Sequence, residues 1–363
     1  LEVCLSIPVF FLICTCFSAL YLGWGFIYLP QERWQMLASI PLQRSHEGHW
    51  QGINLTFYGL LTANAYLLST TMLVFLLSSV NVPLYPLLAL VLCLLGVCVP
   101  ASSLVARWVE GKAHTFTVGG AVFVGILTAP WIIVAINRIS ASMHNVEHLP
   151  LLPCLAAMGI AYAYGEGFGR LACISFGCCY GKAVYTCPSF FQFLFARFNL
   201  VFKGATKKVS YAGNLEGQPL VPIQFITAIL YVATALGATL LFLYTHFLAA
   251  FILAGLVTQG WRIISETLRA DHRGEQNISA YQWMGIVSMG YILIFGILTA
   301  TADGWLNSTA LSISAEIGAG LNALWNPLVL IALQLLWWAM FLYTGCSSVT
   351  GSNVSFHVKR ERV

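Results

Sequence analysis

Long apolar runs dominate this chain, and its polar residues come in short bursts between them. A helix needs about 20 mainly apolar residues to cross the hydrocarbon of a bilayer. Runs of that kind, bounded by polar, Gly- or Pro-bearing breaks, place spans at 5–28, 57–80, 84–106, 118–137, 150–168, 221–245, 248–267, 282–302 and 321–344, about nine helices. The longest polar interval, Gly169 to Gln218, carries Arg170, Lys182, Arg197, Lys203, Lys207 and Lys208 and is interrupted by the Phe-rich stretch Ser189 to Leu200. Basic, aromatic segments settle at headgroup depth. The stretch therefore reads as a helix lying in the interface, with an ordinary extramembrane loop as the alternative. No internal repeat is evident, which argues against the inverted-repeat transporters.

Composition turns this pattern into a fold class. Of 363 residues, 59% are hydrophobic and 8% charged, with a mean hydropathy of +0.80, and no water-soluble fold can cover that mix with a polar surface. The expectation is an all-α polytopic membrane protein in one unit. A net charge of +4, scattered and without a basic stripe, excludes nucleic acid as a partner and suits anionic lipid better. Of eleven cysteines, Cys14, Cys16, Cys93 and Cys98 fall inside apolar spans, where the residue acts as a small hydrophobe. The first span, Leu5 to Tyr28, is longer than a signal-peptide core and lacks a basic leader, so it is expected to be a retained helix. Lys359, Arg360 and Arg362 favour a cytoplasmic C-terminus; nine spans would then put the N-terminus outside and the Arg170 loop inside.

Ionisable residues in or at the rim of apolar spans cost a few kcal/mol to insert, so each is a functional candidate. Three clusters qualify. Gly165-Glu166-Gly167-Phe168-Gly169-Arg170 leads into Cys173 and then Gly177-Cys178-Cys179-Tyr180-Gly181-Lys182. Glycines let backbone N–H groups approach a ligand, and Arg170 offers a planar, permanently charged fork suited to phosphate, so the cluster reads as an anion site at a helix end. In the second, Arg262, Glu266 and Arg269 follow at intervals of four and three, so one helical face is expected to present all three. The third runs from Gly111, Lys112 and His114 to Val118-Gly119-Gly120, a polar rim passing into a Gly-Gly helix entry.

These clusters, in this order, resemble the prolipoprotein diacylglyceryl transferases. That family's Gly-Arg-x-Gly-Asn-Phe-x-Asn-Gly-Glu-x-x-Gly signature aligns with Gly169 to Gly181, and its Gly-Cys-Cys-Tyr-Gly variant matches Gly177 to Gly181 better still. Phe57-Tyr58-Gly59-Leu60 is similar to an early Trp-Tyr-Gly-Leu, Val118-Gly119-Gly120 to His-Gly-Gly, and Pro222-x-Gln224 to His-Pro-x-Gln-Leu-Tyr-Glu. Arg262-x-x-x-Glu266-x-x-Arg269 is similar to Arg-x-x-x-Glu-x-x-Arg, and Tyr281-Gln282-Trp283 to the aromatic restart after it. The resemblance covers 50–303, including an interfacial segment 182–218. It leaves 1–49 (a helix and polar loop) and 304–363 (a helix and basic tail) as additions around a seven-helix core.

The resemblance implies a multi-pass protein of the bacterial inner (plasma) membrane that moves a diacylglyceryl group from phosphatidylglycerol to the lipobox cysteine of a prolipoprotein, without cofactor or metal. It assigns Arg170 and Arg262 to the phosphate, with Tyr58 and His114 as further catalytic candidates. Gly119, Gly120, Glu166, Gly169, Gly181, Glu266 and Arg269 are assigned to substrate binding. The chain departs from the pattern where acid–base groups are usual: Val118 and Val221 stand for His, Cys173 and Phe176 for Asn, and Cys178 and Thr227 for Glu. His114, one turn before Val118, is the nearest substitute. A non-catalytic lipid-binding subunit of a larger membrane complex is the alternative that these losses suggest.

Blander roles stand beside the sharp ones. The arginines can snorkel to lipid phosphate, Glu266 can pair with Arg262 or Arg269, and Glu166 can serve as the counter-ion of Arg170 or face water. Cys173, Cys178, Cys179 and Cys187 match no familiar zinc spacing, so small-residue packing or a Cys178–Cys179 redox pair is expected in place of a metal.

Overall fold

The structure is a computed structural model that describes residues 6–44, 50–110, 118–142, 148–270, 278–301 and 315–349. Long helices build it: α1 (Ile7–Tyr28), α2 (Phe57–Ser79), α3 (Leu84–Glu110), α4 (Val118–Ser142), α5 (Leu151–Phe176), α8 (Ile223–Leu243), α9 (Phe247–Leu268), α10 (Ala280–Thr301) and α12 (Pro327–Gly345). Three short helices, α6 (Ser189–Phe195), α7 (Lys208–Tyr211) and α11 (Ile317–Leu324), lie between them. Among the described residues eight helices are long and apolar enough to cross a membrane. The ninth long helix, α5, has 26 residues but carries Glu166 and Arg170 and is not among the eight. The chain is an integral, multi-pass, helical membrane protein.

Helix α5 holds the centre because its small residues let neighbours close on it. A Cβ on Gly165 would meet Ser69 of α2, and one on Gly167 would meet Val232 and Tyr231 of α8, at 2.8–3.3 Å. Ser69 Oγ donates to the Ala161 carbonyl at 2.7 Å, which satisfies a hydroxyl that lipid could not. Helix α1 packs on α8 and α5, and α12 on α2, where Trp337 Nε1 donates to Asn64 Oδ1 at 2.8 Å.

Two features differ from the sequence pattern. The polar loop after α1 contains strands: β1 (Met36–Arg44) and β2 (Trp50–Thr56) form an antiparallel hairpin, and β3 (Cys346–Val349), leaving α12, joins β2 in the order β1-β2-β3. Pro41, which cannot donate to a ladder, sits on the edge strand beside a register shift. Second, α5 runs past residue 168 to Phe176 and stops at Gly177, whose φ of 73° and ψ of 31° make the left-handed cap. Arg170 therefore lies within the helix, almost two turns before its end. The Phe-rich stretch is helical over α6 and leaves Phe190, Phe193 and Phe198 exposed.

Lys207 departs from the expected run of interfacial cations. It is fully buried, and its ammonium donates to the Leu29 carbonyl at 3.1 Å and the Ser175 carbonyl at 2.7 Å, at the C-terminal ends of α1 and α5. Cations are favoured there by the helix dipole and by carbonyls without intrahelical partners. Burial nonetheless lowers its pKa to about 8, opposed by nearby Glu32.

Candidate functional site

Helices α1, α5, α9 and α12 end, and α2, α4 and α8 begin, at one end of the bundle, where backbone contacts lock them together. Ser175 Oγ donates to the Trp34 carbonyl, Gly181 pairs with Arg269, and Lys182 N–H donates to the Leu268 carbonyl at 3.0 Å. Val221 N–H donates to the Lys182 carbonyl at 2.9 Å. The polar clusters of the sequence collect at this end.

On α5 the side chains of Tyr162, Glu166, Arg170 and Cys173 follow one another at helical spacing. Glu166 is the ion-pair partner of Arg170, and both are mostly buried, at 12% and 15% exposure. Pairing is what makes a guanidinium tolerable there. The Nε of Arg170 and the Oε1 of Gln224, on α8, are buried without a hydrogen-bond partner, a donor and an acceptor left for something else. Gln224 Nε2 donates to the Cys178 carbonyl at 2.9 Å, so its amide lies against the same turn.

Arg262 approaches from α9. Its Nη1 stands 3.5 Å from the Tyr162 hydroxyl, and its other terminal nitrogen packs on Gly119 in the first turn of α4, beside the Tyr281 ring. Any side chain at 119 would collide with that guanidinium. Both arginines lie within electrostatic range of Tyr231, which donates to the Thr258 carbonyl at 2.7 Å. Tyr58, in the first turn of α2, stacks edge-on against Phe176 at 5.6 Å and senses Arg170 and the three nearby cysteines.

The structure thus brings Tyr58, Gly119, Glu166, Arg170 and Arg262 to one end of the bundle, and it assigns several other candidates to architecture. Gly120 makes room for Val105 of α3, and Gly181 for the Val221 backbone. A Cβ on Gly169 would meet only Ala65, at an ordinary 3.9 Å. The expected single face of Arg262, Glu266 and Arg269 is broken, because α9 ends at Leu268 and Arg269 turns extended, at φ −80° and ψ 150°, to pair with Gly181. Glu266 remains on α9, half-buried, one turn beyond Arg262. His114 lies outside the described residues. Thr227 accepts a hydrogen bond from Trp261 Nε1 at 2.8 Å.

The cysteines are the part that sequence reasoning set aside. The sulfurs of Cys173, Cys178 and Cys179 all lie within 4.8 Å of one another, while Cys187 sits apart in a small cluster with Phe195 and Val221. Cys179 adopts a left-handed φ of 55°, uncommon for a side-chain-bearing residue. The Cys173 and Cys178 thiols lie within hydrogen-bonding reach of Cys179, and the guanidiniums of Arg269 and Arg170 lie within electrostatic range of it. An apolar cavity of about 180 Å³, lined by Phe10, Phe17, Phe75, Tyr164 and Phe168 among others, lies between α1, α2, α5 and α11.

No protein-family model, curated protein or solved structure matches this chain.

Proposed function

We propose that this protein is a membrane-embedded transferase that holds a phospholipid by its phosphate and passes the diacylglyceryl group to a thiol, with phosphatidylglycerol as donor and a lipobox cysteine as acceptor. The observation that carries the reading is the pair of guanidinium groups, Arg170 on α5 and Arg262 on α9, both within electrostatic range of Tyr231 inside an apolar bundle. Arg170 keeps a buried N–H without a partner, as a phosphate oxygen would require. The ordered motif resemblance supports the same assignment.

The chemistry suits fixed cations. The acceptor thiol gives up its proton, its sulfur bonds to the glyceryl carbon, and the C–O bond to phosphate breaks. Glycerol phosphate leaves with the electron pair, and the thiol proton ends on its new phosphate oxygen or in solvent. Charge develops on the phosphate, and pre-oriented guanidiniums in a site shielded from water stabilise it strongly. Glu166 and Tyr162 act as positioning residues for Arg170 and Arg262, and Gly119 leaves the space that Arg262 occupies.

The test is transfer of labelled diacylglyceryl from phosphatidylglycerol to a lipobox peptide by the purified protein in lipid nanodiscs. Label should reach the peptide cysteine, and Arg170→Ala and Arg262→Ala should each remove at least 99% of the transfer. Lipid retained without any transfer would overturn the enzyme reading in favour of a non-catalytic lipid-binding subunit.

A further inference from the structure

We propose that Cys173, Cys178 and Cys179 form a three-thiolate site for a soft monovalent cation, Cu(I). The inference goes beyond the lipid reading and does not rest on it. In a continuous helix, residues 173 and 178 would point to different faces. Here the left-handed cap at Gly177 folds the chain back, and Cys178 N–H donates to the Cys173 carbonyl at 3.1 Å, so the turn lies over the last turn of α5. The left-handed backbone of Cys179 then belongs to the same arrangement that gathers the three sulfurs within 4.8 Å of one another. Strained conformations of this kind persist where the surroundings over-determine them, and they cluster at functional sites.

The donor set selects the ion. Thiolates are soft ligands that favour Cu(I), zinc and iron–sulfur centres. Zinc fills four positions, with four protein ligands in structural sites or three and a water in catalytic ones; among the described residues no fourth His, Cys or carboxylate joins this group, and its partial burial leaves little room for a water. A monovalent d10 ion is content with three sulfurs. Charge agrees: three thiolates and one monovalent cation leave two negative charges, and the guanidiniums of Arg170 and Arg269 lie within electrostatic range of Cys179. All three cysteines are half-buried, so an ion can reach them.

The full-length protein in detergent, reduced and kept anaerobic, is titrated with Cu(I) against a chromophoric chelator. One Cu(I) per chain should be held. Cys173→Ser, Cys178→Ser and Cys179→Ser should each weaken retention at least tenfold, with Cys187→Ser unchanged and X-ray absorption reporting three sulfur neighbours. A readout that needs no variant is alkylation mapping of the wild type: Cu(I) should protect these three thiols from N-ethylmaleimide and leave the exposed Cys346 of β3 reactive. No copper held against the chelator, equal retention by the triple serine variant, or zinc retained in preference to Cu(I) overturns the proposal. Arg262→Ala should keep full copper retention while losing lipid transfer, so failure of one reading is told apart from failure of the other.

Discussion

Replacing Lys207 with methionine keeps the length of the side chain and removes the cation that joins the ends of α1 and α5. Two buried carbonyls, those of Leu29 and Ser175, lose their donor. A buried polar group left without a partner costs about 1–3 kcal/mol, and the variant is relieved of a buried charge, so a net loss of about 1–3 kcal/mol is expected at pH 7. The pH dependence is more telling. Burial lowers the Lys207 pKa from the ordinary 10.5 to about 8, so between those values the unfolded chain binds more protons than the folded one. Stability from this group is then fully present above pH 10.5 and lost as pH falls through 8. At 1.36 kcal/mol per pKa unit, the lowering is worth about 3 kcal/mol. The gap between wild type and Lys207→Met should therefore widen as pH rises from about 7.5 to 9.5. Intrinsic-fluorescence unfolding of both proteins in one detergent, with Lys203→Met as an exposed control, measures it. A gap that stays constant or narrows over that range would refute the reasoning.

Two further substitutions probe the helix contacts. Gly59→Ala places a Cβ against the backbone of Gly345, which cannot rotate away, and 3.1 Å from the Phe341 carbonyl. It should cost about 1–3 kcal/mol by overpacking, whereas Gly23→Ala, inside α1 with nothing within 4 Å, should be neutral to stabilising by up to about 1 kcal/mol; equal melting temperatures would contradict the contact. Glu166→Leu strips Arg170 of its ion-pair partner and should cost about 3–5 kcal/mol. Glu166→Gln, which keeps an acceptor, should cost less, and an order reversed in thermal unfolding would mean that the pair is not what holds Arg170.

The membrane helices were legible because a lipid solvent imposes one dominant rule, an apolar run of fixed length, and α1, α2, α4 and α8 obey it within a few residues. The helical face of Arg170 was legible in part: Glu166 lies four residues before it, but Tyr162, four residues before that, was hidden in an apolar background that gave it no contrast. Arg269 was misplaced because three-residue spacing describes a helix only while the helix lasts. The pairing of Gly181 with Arg269, across nearly ninety residues of chain, has no local signature. Lys207 was grouped with the cations of the interfacial segment because nothing local sets it apart, and only the meeting of two helix ends makes its burial tolerable. The cysteine group escaped a search by spacing because a left-handed turn, not a regular element, assembles it.

The small sheet carries a consequence for how the chain is made. Strand β2 runs straight into α2, and β3 straight out of α12, with Thr56 donating to the Gly345 carbonyl at 3.1 Å where the two meet. The strand that completes β2 therefore follows every described helix in the chain. Until it pairs, β2 waits with one open edge, a template for wrong partners, and a closure over so many residues is slow. Truncation within α12 would thus leave β2 with an unsealed edge.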